Sequence, residues 1–482
     1  MRTPALPVEV LAEPLRRLRE ELDVPRPHAA EVVADAERRA ASGPRHGTRR
    51  DLTDLPFVTV DPPGARDLDQ AVLVVADGGG WRVRYAIADV AAFVDTRTVD
   101  APLEADADAR GATVYLPQES VPLWPGALAH GAASLLAGQD RPAVVFDVLL
   151  DGDGEVVSHA VERATVRSRA QLTYEQAQAG VDAGDPALSA LATVGRLRAE
   201  REWVRGGVSL ELPEQEVERV DGRRWRLAVR ARLPVEDASA QVSVLTGHVA
   251  ATTMLDGGVG LLRTLPPPAD DALDALRRRA HALGVPWPAE VRLADALRAL
   301  DVTRPAHAAL AWAARTVLRG AAWTRVADLA PPGGDGGVEP VHGALALPYA
   351  HVTAPLRRLG DHVLHEVLLA LHTDEEVDDD LRARLVALPE RLAHGRGVQS
   401  RVERAVVDLA EALLAEGLGD RTLAATTLDD RGLVQVAEPP LVARLDDEDP
   451  PPAGRAVTVR VAEVDVAARR VGLRLVPGAR VA

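Results

Sequence analysis

The chain has 482 residues, 47% hydrophobic and 27% charged, with a formal net charge of −16 and no cysteine. That balance describes a folded chain of roughly two to four domains. It excludes disulfides, thiolate metal sites and cysteine nucleophiles, so any metal must be held by oxygen or imidazole. Oxygen ligands favour hard ions such as Mg²⁺, Mn²⁺ or Ca²⁺. No apolar run reaches the roughly 18 residues of a membrane span. The N-terminal MRTPALPVEVLAEPLRRLREELDV places acids and arginines where a signal peptide needs an apolar core. A cytoplasmic address without membrane attachment is therefore expected. A net acidic chain argues against a uniformly basic nucleic-acid surface, but a local basic cleft depends on where charge lies. Lysine is absent, so arginine carries all the fixed positive charge. Arginine suits bidentate phosphate contacts, although codon bias towards Arg, Ala, Gly and Pro yields the same composition.

Residues 1–50 read as one or two polar helices and a loop. From 51 to 165 the pattern is strand-rich: FVTV, AVLVV and WRVRYAI alternate or carry β-branched runs, with Trp81, Val83, Tyr85 and Ile87 on one face. DGGG at 77–80 reads as a hairpin turn, and VVFDVLL-DGDGEVV at 144–157 repeats the motif. Helical spacing follows at 188–205 and at 235–255, where Asp237 is a candidate N-cap. LPPPADD (265–271) and APPGGDGGVEP (330–340) read as loops. Residues 356–372 and 401–417 read as helices, the latter stopping at a glycine. DEEVDDD (374–380) between them reads as a solvated loop or helix start. The last 60 residues contain short alternating strands, suggesting a five-stranded OB-like barrel of the kind that binds single strands.

The stretch VTVDPPGARDLDQAV (58–72) contains three aspartates, Asp61, Asp67 and Asp69, around a Pro-Pro-Gly turn. Asp67 and Asp69 are two apart, so on an extended segment they face the same way. The turn can return Asp61 to them. Carboxylates gathered closely repel one another unless a cation neutralises them, and a divalent ion held by oxygen does so. A polar turn is the bland alternative. Calcium fits less well, because the spacing is not that of an EF-hand. The histidines offer a rival site: His342, His351, His362, His365 and His372 crowd one region, but without the HExxH spacing of a zinc site.

FVTVDPPGARDLDQAV resembles the signature of the ribonuclease II/ribonuclease R family, the RNB catalytic domain. Residues 85–138, VEDASAQVSVLTG (235–247) and HGALALPYAHVTAPLRRLGDHVLHE (342–366) are similar to further blocks of that family, in its order. Several long blocks in order are more specific than any short motif. The resemblance spans about residues 51–415. It implies an α+β fold with an RNB domain at 51–418, after a short helical segment at 1–50, and an OB-like RNA-binding barrel at 419–482. It also implies a Mg²⁺-dependent hydrolytic 3′-to-5′ exoribonuclease, with Mn²⁺ as a substitute, that degrades single-stranded RNA to nucleoside 5′-monophosphates; no protein partner is called for. Asp61, Asp67 and Asp69 match aspartates that bind the metal or shape its site, with Asp67 and Asp69 also catalytic. Arg357 matches the arginine on the scissile phosphate, and Arg358 follows it. Tyr115 matches an aromatic that stacks on the RNA 3′ end, and Glu403 matches a glutamate near the bound RNA.

The chain departs from that pattern in three places. About 50 residues precede the signature, too few for the pair of OB domains that many relatives carry there. VSLELPEQ (208–215) lacks the second stacking aromatic. Gln70 stands where the family usually has an aspartate; its carbonyl would ligate a cation without contributing charge. The competing expectation is therefore an RNA-binding protein of the same fold with weakened or lost catalysis. A phosphodiesterase acting on small nucleotides is a third.

Overall fold

A computed structural model describes residues 6–45, 48–117, 119–208, 215–221, 224–229, 232–330 and 337–476. Its centre is a seven-stranded mixed sheet. The strand order is Ala170–Leu172, Val58–Val60, Gln70–Asp77, Gly80–Ala88, Asp140–Leu150, Val156–Arg167 and Arg50–Leu52. The two outermost pairings are parallel and the rest antiparallel. The hairpin between Gln70–Asp77 and Gly80–Ala88 turns on Gly78 and Gly79, both at positive φ. That is the two-residue turn whose twist matches paired strands. Alternation along Gly80–Ala88 buries Val83, Tyr85 and Ile87.

Helices Pro186–Val204, Pro234–Asp256 and Leu359–His372 contribute to the same apolar core as the sheet. Their starts differ from the sequence expectation in instructive ways. Asp185 caps the first, accepting from the N–H groups of Ala187 and Leu188. The second begins at Pro234, and Asp237 lies inside its first turn rather than capping it; Glu236 instead accepts from the Leu233 N–H (2.9 Å). Proline at the first helical position is preorganised for a start there. The expected helix at 401–417 is the end of a 38-residue helix, Asp379–Glu416, capped by Asp378. Thus the acidic run at 374–380 leads into a helix start.

That long helix, roughly 57 Å at 1.5 Å per residue, joins three apolar clusters. Leu381, Leu385, Leu388 and Leu392 enter the main core. Val398, Val402 and Leu409 pack with Leu11, Leu15 and Leu18 of the N-terminal helix Val8–Glu21. Ala410 and Leu414 pack into the C-terminal barrel. The barrel is closed from five strands, Leu423–Thr427, Leu433–Val436, Val442–Leu445, Arg470–Leu475 and Ala456–Asp465. Closure removes the exposed edges that short strands would otherwise present. Among the described residues, no helix is long and apolar enough to cross a membrane.

Candidate active site

The acidic segment is held in place largely by backbone bonds. The Asp61 N–H donates to the Leu172 carbonyl (3.0 Å), and Ala65 N–H closes the proline turn onto Pro62 (3.2 Å). Gly64 sits at φ +81 in that turn, a conformation that glycine adopts without a Cβ penalty. The segment is then zipped to residues 134–135. Leu68 N–H donates to Ser134 Oγ (3.0 Å), Ser134 Oγ donates to the Arg66 carbonyl (2.7 Å), and Leu135 N–H donates to the Leu68 carbonyl (3.0 Å).

Residues 353–358 are fixed on the opposite side. Thr113 N–H donates to the Arg357 carbonyl (3.0 Å), Leu359 N–H to the Gly111 carbonyl (3.1 Å), and Trp124 Nε1 to the Pro355 carbonyl (3.0 Å). Asp361 closes this turn by accepting from Ala354 N–H (2.7 Å) and from two nitrogens of Arg358 (2.7 and 3.0 Å). Arg357 therefore lies in a turn, and the helix begins at Leu359 with Arg358 as its N-cap residue.

The two segments meet at Asp69. Its Oδ1 accepts from the Leu356 N–H (2.8 Å), and its Oδ2 lies 3.5 Å from Arg357 Nε. Asp69 is 4% exposed. Burial pushes its carboxyl up to about 8, against the opposing pull of Arg357 and the Leu356 N–H. Burial likewise raises Asp61 to about 6, and its Oδ2 is buried without a hydrogen-bond partner. Asp67 accepts from the Tyr115 hydroxyl (2.9 Å). Burial first, then the Asp67 charge, raises the Tyr115 phenol, so it stays protonated as the donor. Burial works against the Arg357 charge, but Asp69 and its acidic neighbours hold its pKa above the ordinary value.

Asp61, Asp67, Asp69, Tyr115 and Arg357 are thus assembled around one locus. The other expected site residues stand differently. The Gln70 amide is engaged within the protein: Nε2 donates to the Thr353 carbonyl, and Oε1 accepts from the Tyr85 hydroxyl (3.1 Å). It ties the strand to the 353–358 turn because its long neutral side chain offers both a donor and an acceptor; the expected ligand role would fall to the second lone pair of Oε1. Arg358 is bound to Asp361, so it shapes the turn. Glu403 lies on the long helix and pairs with Arg396 at 3.5 Å. Residues 209–214 of VSLELPEQ, the stretch without the second stacking aromatic, lie outside the described residues.

The crowded histidines form no metal site among the described residues. His365 Nε2 bonds the Val352 carbonyl (2.7 Å), and His362 packs edge-on against Trp124. Burial lowers His362 to about 3 and depresses His365 and His351, leaving all three uncharged at neutral pH. Among the described residues, no three His, Asp or Glu side chains gather closely enough to form a ready-made metal cage.

Arg357 and Tyr115 also line a cavity of about 370 Å³, together with Arg263, Trp323, Arg358 and Arg396. Sequence reasoning missed Arg263 and Trp323. They lie on the two-stranded antiparallel sheet Leu261–Thr264/Ala322–Arg325, whose strands are far apart in sequence, and no local motif marks either one.

A buried carboxyl group against a guanidinium, beside an arginine-lined cavity, has the chemistry to receive an anionic, phosphate-like group. The RNB domain model matches residues 49–374, and the model of the RNase II-type exonuclease C-terminal S1 domain matches residues 423–476. The chain belongs to the RNB family. It is 30% identical to Ribonuclease R of Escherichia coli over 349 residues, covering 68% of this chain and 41% of that protein. It is 29% identical to the Exosome complex exonuclease RRP44 homolog A of Arabidopsis thaliana, covering 67% of this chain and 35% of the relative. The chain therefore spans less than half the length of these relatives. Its fold is similar to that of Mycoplasma genitalium RNase R in complex with ribose methylated single-stranded RNA, with TM-score 0.83, 21% identity and 96% and 78% of the two chains covered. It is also similar to yeast Ssd1, a pseudonuclease, with TM-score 0.66, 20% identity and 82% and 50% covered.

Proposed function

We propose that the protein is a metal-dependent 3′-to-5′ exoribonuclease acting on single-stranded RNA in the cytoplasm. The observation that carries this reading is the Asp69–Arg357 pair, with Arg357 and Tyr115 both lining the cavity. Arg357 would clamp the scissile phosphate with its planar fork and stabilise charge as the phosphorus becomes five-coordinate. Tyr115, 37% exposed, would stack on a base, an interaction indifferent to sequence. Water adds to phosphorus and the bond to the 3′ oxygen of the preceding nucleotide breaks. That oxygen takes a proton, releasing a nucleoside 5′-monophosphate and a strand shortened by one.

Asp61, Asp67 and Asp69 are the residues that would hold Mg²⁺ or Mn²⁺; their carboxylates do not converge into a cage here, so a bound cation would draw them together. Their donor chemistry fits a hard cation: one Asp61 oxygen is buried without a partner, and burial disfavours the charge on Asp69. Such a cation supplies Lewis acidity and a more acidic water.

A second reading is supported by the engaged amide of Gln70 and by the likeness to a pseudonuclease: an RNA-binding protein of the same fold without cleavage. Incubating the protein with 5′-labelled single-stranded RNA and graded Mg²⁺ or Mn²⁺ separates the two. Stepwise shortening from the 3′ end, lost in Asp69→Asn, supports the exonuclease. Retention of RNA without shortening at any metal concentration supports the binding protein.

A further inference from the structure

The cavity beside Arg357 contains more positive charge than the scissile phosphate alone requires. Its lining holds four guanidinium groups, Arg263, Arg357, Arg358 and Arg396, and one carboxylate, Asp361. Asp361 is already bound to Arg358, and Arg396 pairs with Glu403. Arg263 is different. Among the described residues it has no carboxylate within ion-pair distance, and its Nη1 is buried without a hydrogen-bond partner. Leaving a buried charged donor unsatisfied is costly unless a ligand completes it.

Its position is also well defined. The Arg263 N–H donates to the Tyr349 carbonyl (2.7 Å), and its guanidinium carbon lies 3.9 Å from the centre of the Trp323 ring. Trp323 is its cross-strand partner, and His351 lies edge-on to that ring at 6.2 Å. Stacking orients the guanidinium plane and leaves Nη1 as an unmatched donor beside the cavity. Burial, with the charge of Arg396, lowers its pKa to about 10, so Arg263 remains charged at neutral pH. A volume of about 370 Å³ falls within the range of pockets for small organic ligands.

We propose that Arg263, held against Trp323, is a second phosphate-binding residue, which takes an internucleotide phosphate of the RNA strand other than the scissile one. The proposal deepens the exoribonuclease reading by adding a residue that holds strand register while Arg357 acts. It requires RNA binding but not cleavage. A site of this kind is ready-made and needs no metal.

The test is binding of an RNA of roughly ten nucleotides to the full chain in EDTA, followed by fluorescence anisotropy across a salt series. RNA integrity is checked on a gel, and folding of each variant by its melting curve. Arg263→Gln is expected to weaken binding about tenfold, and to reduce the slope of log affinity against log salt by about 0.7, the value for one phosphate on a single strand. Arg263→Lys keeps the charge but loses the planar fork; it should preserve the slope while weakening affinity a few-fold, and it decides the matter if the glutamine variant does not fold. Wild-type affinity and slope in either folded variant would overturn the proposal. Failure of the wild-type chain to bind RNA without metal would overturn it too. The exoribonuclease reading is judged separately, by the metal-titrated shortening assay on the wild-type chain.

Discussion

Gln70 donates its side-chain amide to the backbone carbonyl of Thr353, 283 positions further along the chain, while its carbonyl accepts from the Tyr85 hydroxyl. One neutral side chain thus ties the strand that follows Asp69 to the turn that carries Arg357. Gln70→Ala should lose about 1–3 kcal/mol of stability in urea unfolding, because two buried partners are left unpaired. Tyr85→Phe should lose only part of that. Equal unfolding midpoints for wild type and Gln70→Ala would remove the tie from the account.

Burial pushes Asp69 up to about 8, against the pull of Arg357, so without a cation it carries a proton over part of the neutral range. Cation binding to the carboxylate must then release a proton. Calorimetric titration with Mn²⁺ at pH 7, in two buffers of different ionisation enthalpy, should report that release. Metal affinity should rise as pH increases from about 6 to 8. In Asp69→Asn both effects should shrink.

Arg357 stands beside Asp69 in a turn braced by Thr113, Leu359 and Trp124. Arg357→Ala should lower kcat for RNA shortening by about 10²–10³, the range found when a single transition-state donor is removed. RNA affinity in EDTA should fall far less. A loss confined to KM would assign Arg357 to uniform binding instead.

Gly395 of the long helix faces Gly111, and a Cβ on Gly395 would come within 2.8 Å of the Gly111 carbonyl carbon and 2.9 Å of the Ala112 nitrogen. This contact lets the helix approach the backbone that braces Arg357. Gly395→Ala should destabilise the protein by about 1–3 kcal/mol through overpacking and lower activity as well. Gly397→Ala is the control, since its Cβ would come no closer than 3.5 Å to an arginine side chain. It should be neutral or stabilising by up to about 1 kcal/mol.

Glu411 joins the long helix to the barrel, accepting from Gln215 Nε2 (2.6 Å) and Val442 N–H (2.7 Å). Burial raises its carboxyl from 4.5 to about 7. The folded state therefore binds more protons than the unfolded state between those values, and stability falls as pH rises through that window. The contribution is fully present below about pH 4.5 and lost above about 7, worth at most about 3 kcal/mol. Glu411→Gln retains an acceptor and should flatten this dependence, with a higher melting temperature than wild type at pH 8.

Much of the architecture is legible locally. Alternation marked the strands around Trp81–Ile87, the Gly-Gly turn marked their hairpin, and short alternating runs marked the barrel. These signals work because each element must present one apolar face to a core. Helix starts were less legible. Asp237 has the right chemistry for a cap, yet Pro234 sets the start three residues earlier. The 38-residue helix was seen only at its end, because its burial passes from one cluster to the next and no single periodic face runs its length.

The acidic cluster and the arginine block were readable as chemistry, since carboxylates around a tight turn and a TAPLRR segment keep their character wherever they are placed. Their meeting was not readable. Only the packed structure puts Asp69 against Arg357, turns the Gln70 amide towards Thr353 and Tyr85, and leaves Arg263 stacked on Trp323 with no carboxylate partner among the described residues. Residue type and spacing settle what a side chain can do; burial and long-range contacts settle which partner it finds, and those arise from segments hundreds of positions apart.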